Sequence, residues 1–557
     1  MPVVSEQRLQ PFHAIIRCTL CCFLLGEGMD DQSKRIWQGA IVLALAMVIV
    51  KILSVVYRIP YQNITGDTGF YVFQQVYPFY GIASTFALAG FPVALSRILS
   101  ESGEMATHRK KRVQEAFTAF FAAGILLFVL LFFGSAHIAS WMGDARLQLP
   151  IQATSFIYLL VPFVAVFRGI FQGVEQMKPT AYSQVVEQSI RVLCIIGFSY
   201  YFMSQGYSVY TAGAAATSGS VVGALAGLLV LFLFFSREQK ERRWMRPRFI
   251  TPGKGSVQLL SAGLLLSLCS MILLLFQLAD AFTFVNFLSK SGIALESARK
   301  IKGIFDRAQP LLQLGTVIAT SLSLAAVPAV AAAKRRGDAT SVRKICGLSI
   351  KVVFIIGLAA AAGLAVIIEP VNMMLFENKE GSLEIAVLGL SILPVSLFLT
   401  STGLLQGLGS TIYPVISVLL AFLLKIAGNA VLMSSLHELG ASAATVLASF
   451  LAAGINLVFL EKRTRFAAAE KFYGMRIGSA VALMALSAWL IKSGLAAALP
   501  ETRTASAVIS LGASAGGGIV LLAALLLAKV FRADDLMRIP KLQKIRHILS
   551  RWKERRS

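Results

Sequence analysis

The sequence predicts an all-α polytopic membrane protein with about fourteen transmembrane helices, in two pseudo-symmetric six-helix lobes plus two C-terminal helices. Three observations carry this. Of 557 residues, 56% are hydrophobic and 14% charged, and the mean hydropathy is +0.72, which leaves too little polar surface for a water-soluble globule. Apolar runs of the ~20 residues needed to cross a bilayer recur along the chain. Lys and Arg collect in alternate connecting loops, as the positive-inside rule requires of a polytopic protein.

In chain order the apolar runs place spans at 36–57, 79–99, 117–138, 151–171, 180–203, 211–235, 259–282, 311–333, 349–369, 385–406, 413–434, 440–460, 476–493 and 506–530. The segments 97–116, 237–254, 334–344, 461–476 and 532–556 are rich in Lys and Arg. They are assigned to the cytoplasm of a bacterial cell membrane, together with both termini. The loops 139–150, 204–210, 370–384 and 435–439 are poor in them and fall outside. One loop departs from the pattern: 283–310, expected outside, carries Lys290, Arg299, Lys300, Lys302 and Arg307. For it a place at a cavity mouth and a bland surface role stay equally open.

The net charge of +24 follows from this loop pattern, and no folded basic domain with stacking aromatics points to nucleic acid. Six cysteines, with no paired spacing outside the first 22 residues, indicate neither a disulfide frame nor a zinc site. Ahead of the first span, Gly26-Glu27-Gly28 can be encoded by purine-rich codons resembling a ribosome-binding site. Translation is therefore expected to start at Met29.

An internal repeat organises the spans. Gly169, Gln172 and Gly173 return as Gly403, Gln406 and Gly407, an offset of 234 (169 to 403). The same offset takes Gly69 to Gly303, Gln75 to Gln309 and Arg191 to Lys425. The expected units are a segment 1–35, an N-lobe 36–235, a basic linker 236–258, a C-lobe 259–460, two further helices within 461–530 and a basic tail 531–557. A parallel repeat of this kind encloses a central site between lobes that rock to alternate its access. Pro162, Pro328 and Pro394 serve as packing devices or bending points.

Charges inside the spans are the candidate site. Lys51 and Arg58 are seven residues apart and share a helix face. A mid-bilayer Lys costs roughly 2.5–3.5 kcal/mol on insertion scales and usually faces a bundle interior. Lys51 lies about 22 Å along its helix from Ile36, so a cavity role is favoured over snorkelling. For Arg58 both readings stand. Arg191 and Lys425 sit near mid-depth as repeat mates. Glu187, one turn before Arg191, is placed to neutralise it through an i,i+4 pair, whereas Lys425 has no such local partner. Arg97 and Arg168 lie near cytoplasmic helix ends, where snorkelling or lipid phosphate is the default. Asp280 sits at the depth of Arg58, which fits an inter-lobe ion pair, a gate or cation coordination. The substrate-binding set is thus Lys51, Arg58, Arg191, Lys425 and Arg97, with Asp280 and Glu187 as gate or ion-coupling groups. No metal, cofactor or catalytic motif is found, and Asp67, Asp144 and Glu377 form no recognisable set.

The residues KILSVVYRIPYQNITGDTGFYVFQQVYPFY, AGFPVALSRILSE, LLLFQLADAFTFV and GIFDRAQPLLQLGTVIATSLSLAAVPAV resemble the SpoVB and MurJ-like proteins of the MOP flippase superfamily, over 34–530. The resemblance implies transport of undecaprenyl-pyrophosphate-linked saccharide, with lipid II the leading cargo, from inner to outer leaflet. It also implies a cationic cavity at the positions of Lys51 and Arg58, and a groove for the lipid tail in the last two helices. Its partners would be the lipid-linked substrate, membrane lipids and cell-wall synthesis proteins. Some relatives couple transport to sodium through acidic residues of helices seven and eleven; here Asp280 is present, but helix eleven carries Lys425 and Asn429. The alternatives are a MATE-like exporter of cationic drugs, which calls for acidic cavity groups, a non-transporting assembly factor for the envelope, and a membrane glycosyltransferase.

Overall fold

The computed structural model describes residues 31–101, 106–237, 248–469 and 473–530, and these are helical with short connections. Among the described residues, twelve helices are long and apolar enough to cross a membrane. Two of them, Leu45–Ser100 and Ile412–Thr464, run to 56 and 53 residues. Both are interrupted, at Gly66 (φ 68°, ψ −177°) and at His437 (φ 48°, ψ −126°). A count of fourteen requires each of these two to cross twice. Met29, the first three cysteines and the basic tail lie outside the described residues.

The first half runs α1 (Asp31–Val56), α2 (Arg58–Thr85), a π-turn (Phe86–Gly90), α3 (Phe91–Glu101), α4 (Ala106–Phe133), α5 (Ser135–Trp141), a 3-10 turn, α6 (Gln148–Ser155), α7 (Ile157–Gly173), α8 (Met177–Ser204) and α9 (Val209–Arg237). The second half runs α10 (Lys254–Ser270), α11 (Ile272–Lys290), α12 (Leu295–Asp306), α13 (Ala308–Gly315), α14 (Val317–Arg335), α15 (Ala339–Phe376), α16 (Ser382–Gly389), α17 (Ile392–Gly407) and α18 (Ile412–Thr464). After the short α19 (Phe466–Ala469) come α20 (Gly474–Ala498) and α21 (Arg503–Leu527).

Two features differ from the sequence reading. The stretch after Arg58, left unassigned between the spans 36–57 and 79–99, is helical and largely buried, with Tyr61, Phe70, Tyr71, Phe73 and Val76 among its buried side chains. The irregular loop 283–310 is mostly helix: α11 continues to Lys290 and α12 is a separate amphipathic helix whose Arg299 and Lys302 are buried.

Within the first half, α1, α8 and α9 pack together, and α3, α4 and α7 form a second group; in the second half α14, α15, α17 and α18 do the same. The halves meet where α2 touches α11 and α12, and where α10 lies on α3 and α4. Small residues allow these approaches. A Cβ on Gly303 would stand 2.1 Å from the Asp67 carbonyl oxygen, and one on Gly90 would stand 1.7 Å from Ser267 Oγ. The last two helices pair with each other and dock on α15. Large apolar side chains such as Phe232 of α9 and Leu511 and Leu522 of α21 remain exposed, which suits contact with lipid chains.

Candidate functional site

Three features of the sequence build the candidate site. The first is the spacing Phe73, Tyr77, Tyr80 on α2, which sets aromatic rings on one helix face. The second is the run Gly219, Gly223, Gly227 on α9, a small-residue stripe that lets α8 approach until a Cβ on Gly223 would be 2.8 Å from Arg191 Cβ. The third is the set of membrane-embedded cations.

Arg191 is 1% exposed. Its guanidinium donates to Ser220 Oγ at 3.0 Å, to Gln188 Oε1 at 3.3 Å and to the Tyr57 hydroxyl at 3.1 Å. It also lies 3.8 Å from the centroid of Tyr80 and 5.2 Å from that of Tyr57. Arg58 is fully buried and sits 4.3 Å over Tyr77. Tyr77 and Tyr80 are 5.8 Å apart, so an aromatic ladder joins the two arginines. Cation–π contacts of this kind contribute about 2 kcal/mol each when desolvated, far less than the several kcal/mol that stripping a guanidinium of water costs.

Lys51 and Arg58 both reach the second half of the chain. Lys51 Nζ donates to Thr320 Oγ1 on α14 at 2.6 Å, and the Gln313 amide oxygen on α13 is placed to accept from both terminal nitrogens of Arg58 at 3.3 Å. The seven-residue spacing 51 to 58 is thus matched in antiparallel by 313 to 320. The Nε of Arg58 has no hydrogen-bond partner. Among the described residues, neither Lys51, Arg58 nor Arg191 forms an ion pair with a carboxylate. Asp306 comes near enough to Arg58 for the two charges to interact, but its paired oxygen is held by Lys302 Nζ at 2.5 Å.

The remaining cations are neutralised, and here the structure corrects the sequence reading. Glu187 does not pair with Arg191; its Oε2 accepts from Arg168 at 2.7 Å. Arg168, expected to snorkel, is fully buried and also donates to Ser183 Oγ at 3.2 Å. Helical rotation places Arg191 on the aromatic side of α8 and Glu187 toward α7. Asp280 does not face Arg58; it pairs with Lys425 Nζ at 2.6 Å. Lys425, expected to lack a local partner, also donates to Asn429 Oδ1 at 3.0 Å and the Ala441 carbonyl at 2.9 Å, while Asn429 Nδ2 donates to Asp280 Oδ1 at 2.8 Å. Three oxygens therefore converge on one ammonium. Arg97 is exposed on α3.

The three acids set aside in the sequence all form ion pairs at the end opposite the basic loops. Asp67 of α2 accepts from Arg307 Nε at 3.1 Å. Asp144 forms an ion pair with Arg299, Oδ2 2.9 Å from Nε, and accepts from the Tyr71 and Tyr210 hydroxyls at 3.3 and 2.6 Å. Glu377 pairs with Arg503, at the start of α21. The first two pairs bridge the halves of the chain, and they use the arginines of the loop that broke the charge pattern. Gln75 Nε2 donating to the Ala281 carbonyl at 3.0 Å completes this closure. The sequence signal for it was present: five cations in a segment expected to face outside.

A family model described as "Polysaccharide biosynthesis protein" matches residues 36–334. The chain is 40% identical over 521 residues, 92% of its length and 97% of the relative's, to the uncharacterized membrane protein YabM of Bacillus subtilis (strain 168). It is 24% identical to the lipid II flippase MurJ of the same organism, over 88% of this chain and 95% of that one. A solved structure of lipid II flippase MurJ in an inward closed conformation superposes with a TM-score of 0.64 at 12% identity, over 87% of this chain and 98% of that one.

Proposed function

This chain belongs to the polysaccharide biosynthesis protein family, and from that premise we propose that it is an alternating-access flippase for an undecaprenyl-pyrophosphate-linked saccharide, with lipid II as cargo. The observation that carries the reading is the set of three cations, half-buried Lys51 and buried Arg58 and Arg191, whose contacts in the structure are hydroxyls, an amide and aromatic rings and which form no ion pair with a carboxylate among the described residues. Buried cations without carboxylates are costly, and an incoming diphosphate offsets that cost by charge-assisted hydrogen bonds. Tyr57, Tyr77 and Tyr80 hold the guanidinium planes and offer hydroxyls to sugar groups. The head group would occupy the space between the halves while the polyprenyl tail stays in lipid.

A cation exporter is disfavoured by the same geometry. Such a protein needs free acidic groups in its centre, and here Asp280 and Glu187 are engaged by Lys425 and Arg168. The ion pairs Asp67–Arg307 and Asp144–Arg299 would close the outer end, and their separation would accompany release. The loop charges support a cytoplasmic side for both termini.

Two experiments test this. In a host depleted of its own lipid II flippases, the chain is expected to restore surface exposure of lipid II, and Lys51→Ala to lower that exposure by about tenfold, one charge-assisted contact's worth. Failure of the unaltered chain, with rescue of a different envelope polymer, would reassign the cargo. Because the Lys425 ammonium fills the position among Asp280, Asn429 and the Ala441 carbonyl, flipping is expected to run at the same rate when sodium is replaced by potassium. Strict sodium dependence would sink the assignment of Asp280 as a plain counter-ion.

A further inference from the structure

At the end of the second half that carries the basic loops, a cavity of about 450 Å³ opens between the C-terminal end of α14, the start of α15, the α17–α18 connection and the end of α18. Its walls bear Lys334, Arg343, Lys462, Arg463 and Arg465, and Leu408 and Val342 contribute apolar surface. Five cations of one sign around one cavity repel each other unless something of opposite sign is brought in.

The neighbouring carboxylates do not supply it. Asp338 is spent as the N-cap of α15, its Oδ1 accepting from the Ser341 backbone amide at 2.9 Å, and hydrogen bonds from Ser341 keep its carboxyl below the usual range. Glu461 is engaged by the backbone, its Oε2 accepting from the Ala467 amide at 3.0 Å. Among the described residues, none of the five basic side chains forms an ion pair. All five are exposed, and local contacts orient two of them: Lys334 Nζ donates to the Leu408 carbonyl at 2.7 Å, and Arg463 stacks 5.3 Å from the Tyr413 ring centre. Arg465 turns back in a left-handed conformation at φ 51°.

We infer that this cavity is a binding site for a phosphate-bearing anion, separate from the central cations and independent of the transport reading. Its volume falls within the roughly 300–1,000 Å³ of small-molecule sites, enough for a diphosphate or a glycerophosphate head group. The arginine forks suit bidentate phosphate contact. Its position at the ends of membrane-crossing helices puts it within reach both of anionic lipid head groups and of soluble phosphates.

The test is native mass spectrometry of the full chain in detergent, titrated with phosphatidylglycerol and, separately, with inorganic diphosphate. The triple variant Arg343→Gln, Lys462→Gln, Arg463→Gln is expected to weaken binding of at least one probe about tenfold. The exposed triple Lys178→Gln, Arg237→Gln, Lys254→Gln, which removes the same charge elsewhere, leaves it unchanged. Loss confined to the lipid probe identifies a head-group site, and loss confined to diphosphate identifies a soluble ligand. Equal behaviour of the two triples, or no binding of either probe to the unaltered chain, overturns the site.

Discussion

Replacing Arg58 or Arg191 by alanine is expected to cut flipping by about tenfold to a hundredfold while leaving the folded protein as stable as before or slightly more so. The transport loss follows from removing one charge-assisted hydrogen bond to a diphosphate, about 1.5–3 kcal/mol. The absence of a stability loss follows from the partners: Tyr77 and Gln313 for Arg58, and Tyr57, Tyr80, Ser220 and Gln188 for Arg191, none of them a carboxylate left stranded, since Asp306 near Arg58 keeps its ion pair with Lys302. Arg58→Lys keeps the charge but loses the planar fork over Tyr77, so it should fall between alanine and the native residue. Surface exposure of lipid II in a flippase-depleted host reads the first quantity, and thermal denaturation in detergent the second. Normal flipping by both alanine variants would remove the central site from the proposal.

The repeat mate behaves in the opposite way. Lys425→Ala leaves Asp280 buried against Asn429 with its ammonium gone, and breaking one side of a buried pair costs about 3–5 kcal/mol. The expected result is a sharp fall in folded protein recovered from the membrane, with transport lost as a secondary effect. Adding Asp280→Asn to Lys425→Met removes both charges and should restore most of the stability, since replacing a whole buried pair is close to neutral. A double-mutant cycle on the denaturation midpoint measures the coupling. A Lys425→Ala protein of native stability would show that the pair is not closed as described.

That contrast marks what the chain's sequence could reveal. Depth along a helix singled out Lys51, Arg58, Arg191 and Lys425, because rise per residue and the cost of buried charge need no tertiary knowledge. The fold class followed from hydropathy for the same reason. Which acid meets which cation did not, since Glu187 is within i,i+4 reach of Arg191 yet turns to Arg168 on α7, a choice made by helix packing. The aromatic ladder was legible in the spacing of Tyr77 and Tyr80 but reads, in a membrane span, as ordinary apolar filling. Likewise Gly219, Gly223 and Gly227 announce a close helix pair, and only the structure shows that Arg191 lies beneath it. The 283–310 segment looked anomalous only because its acceptors, Asp67 and Asp144, lie more than a hundred residues away.

Asp144 makes the closure between the halves asymmetric. Two phenol hydroxyls from its own half, Tyr71 and Tyr210, hold the carboxylate, and Arg146 of the same half stands 3.6 Å from its other oxygen. The acceptor is thus assembled within one half, and Arg299 is what the other half brings to it. A guanidinium that docks on such a seat meets a preorganised partner, so the ordering cost of the contact falls on the arginine side.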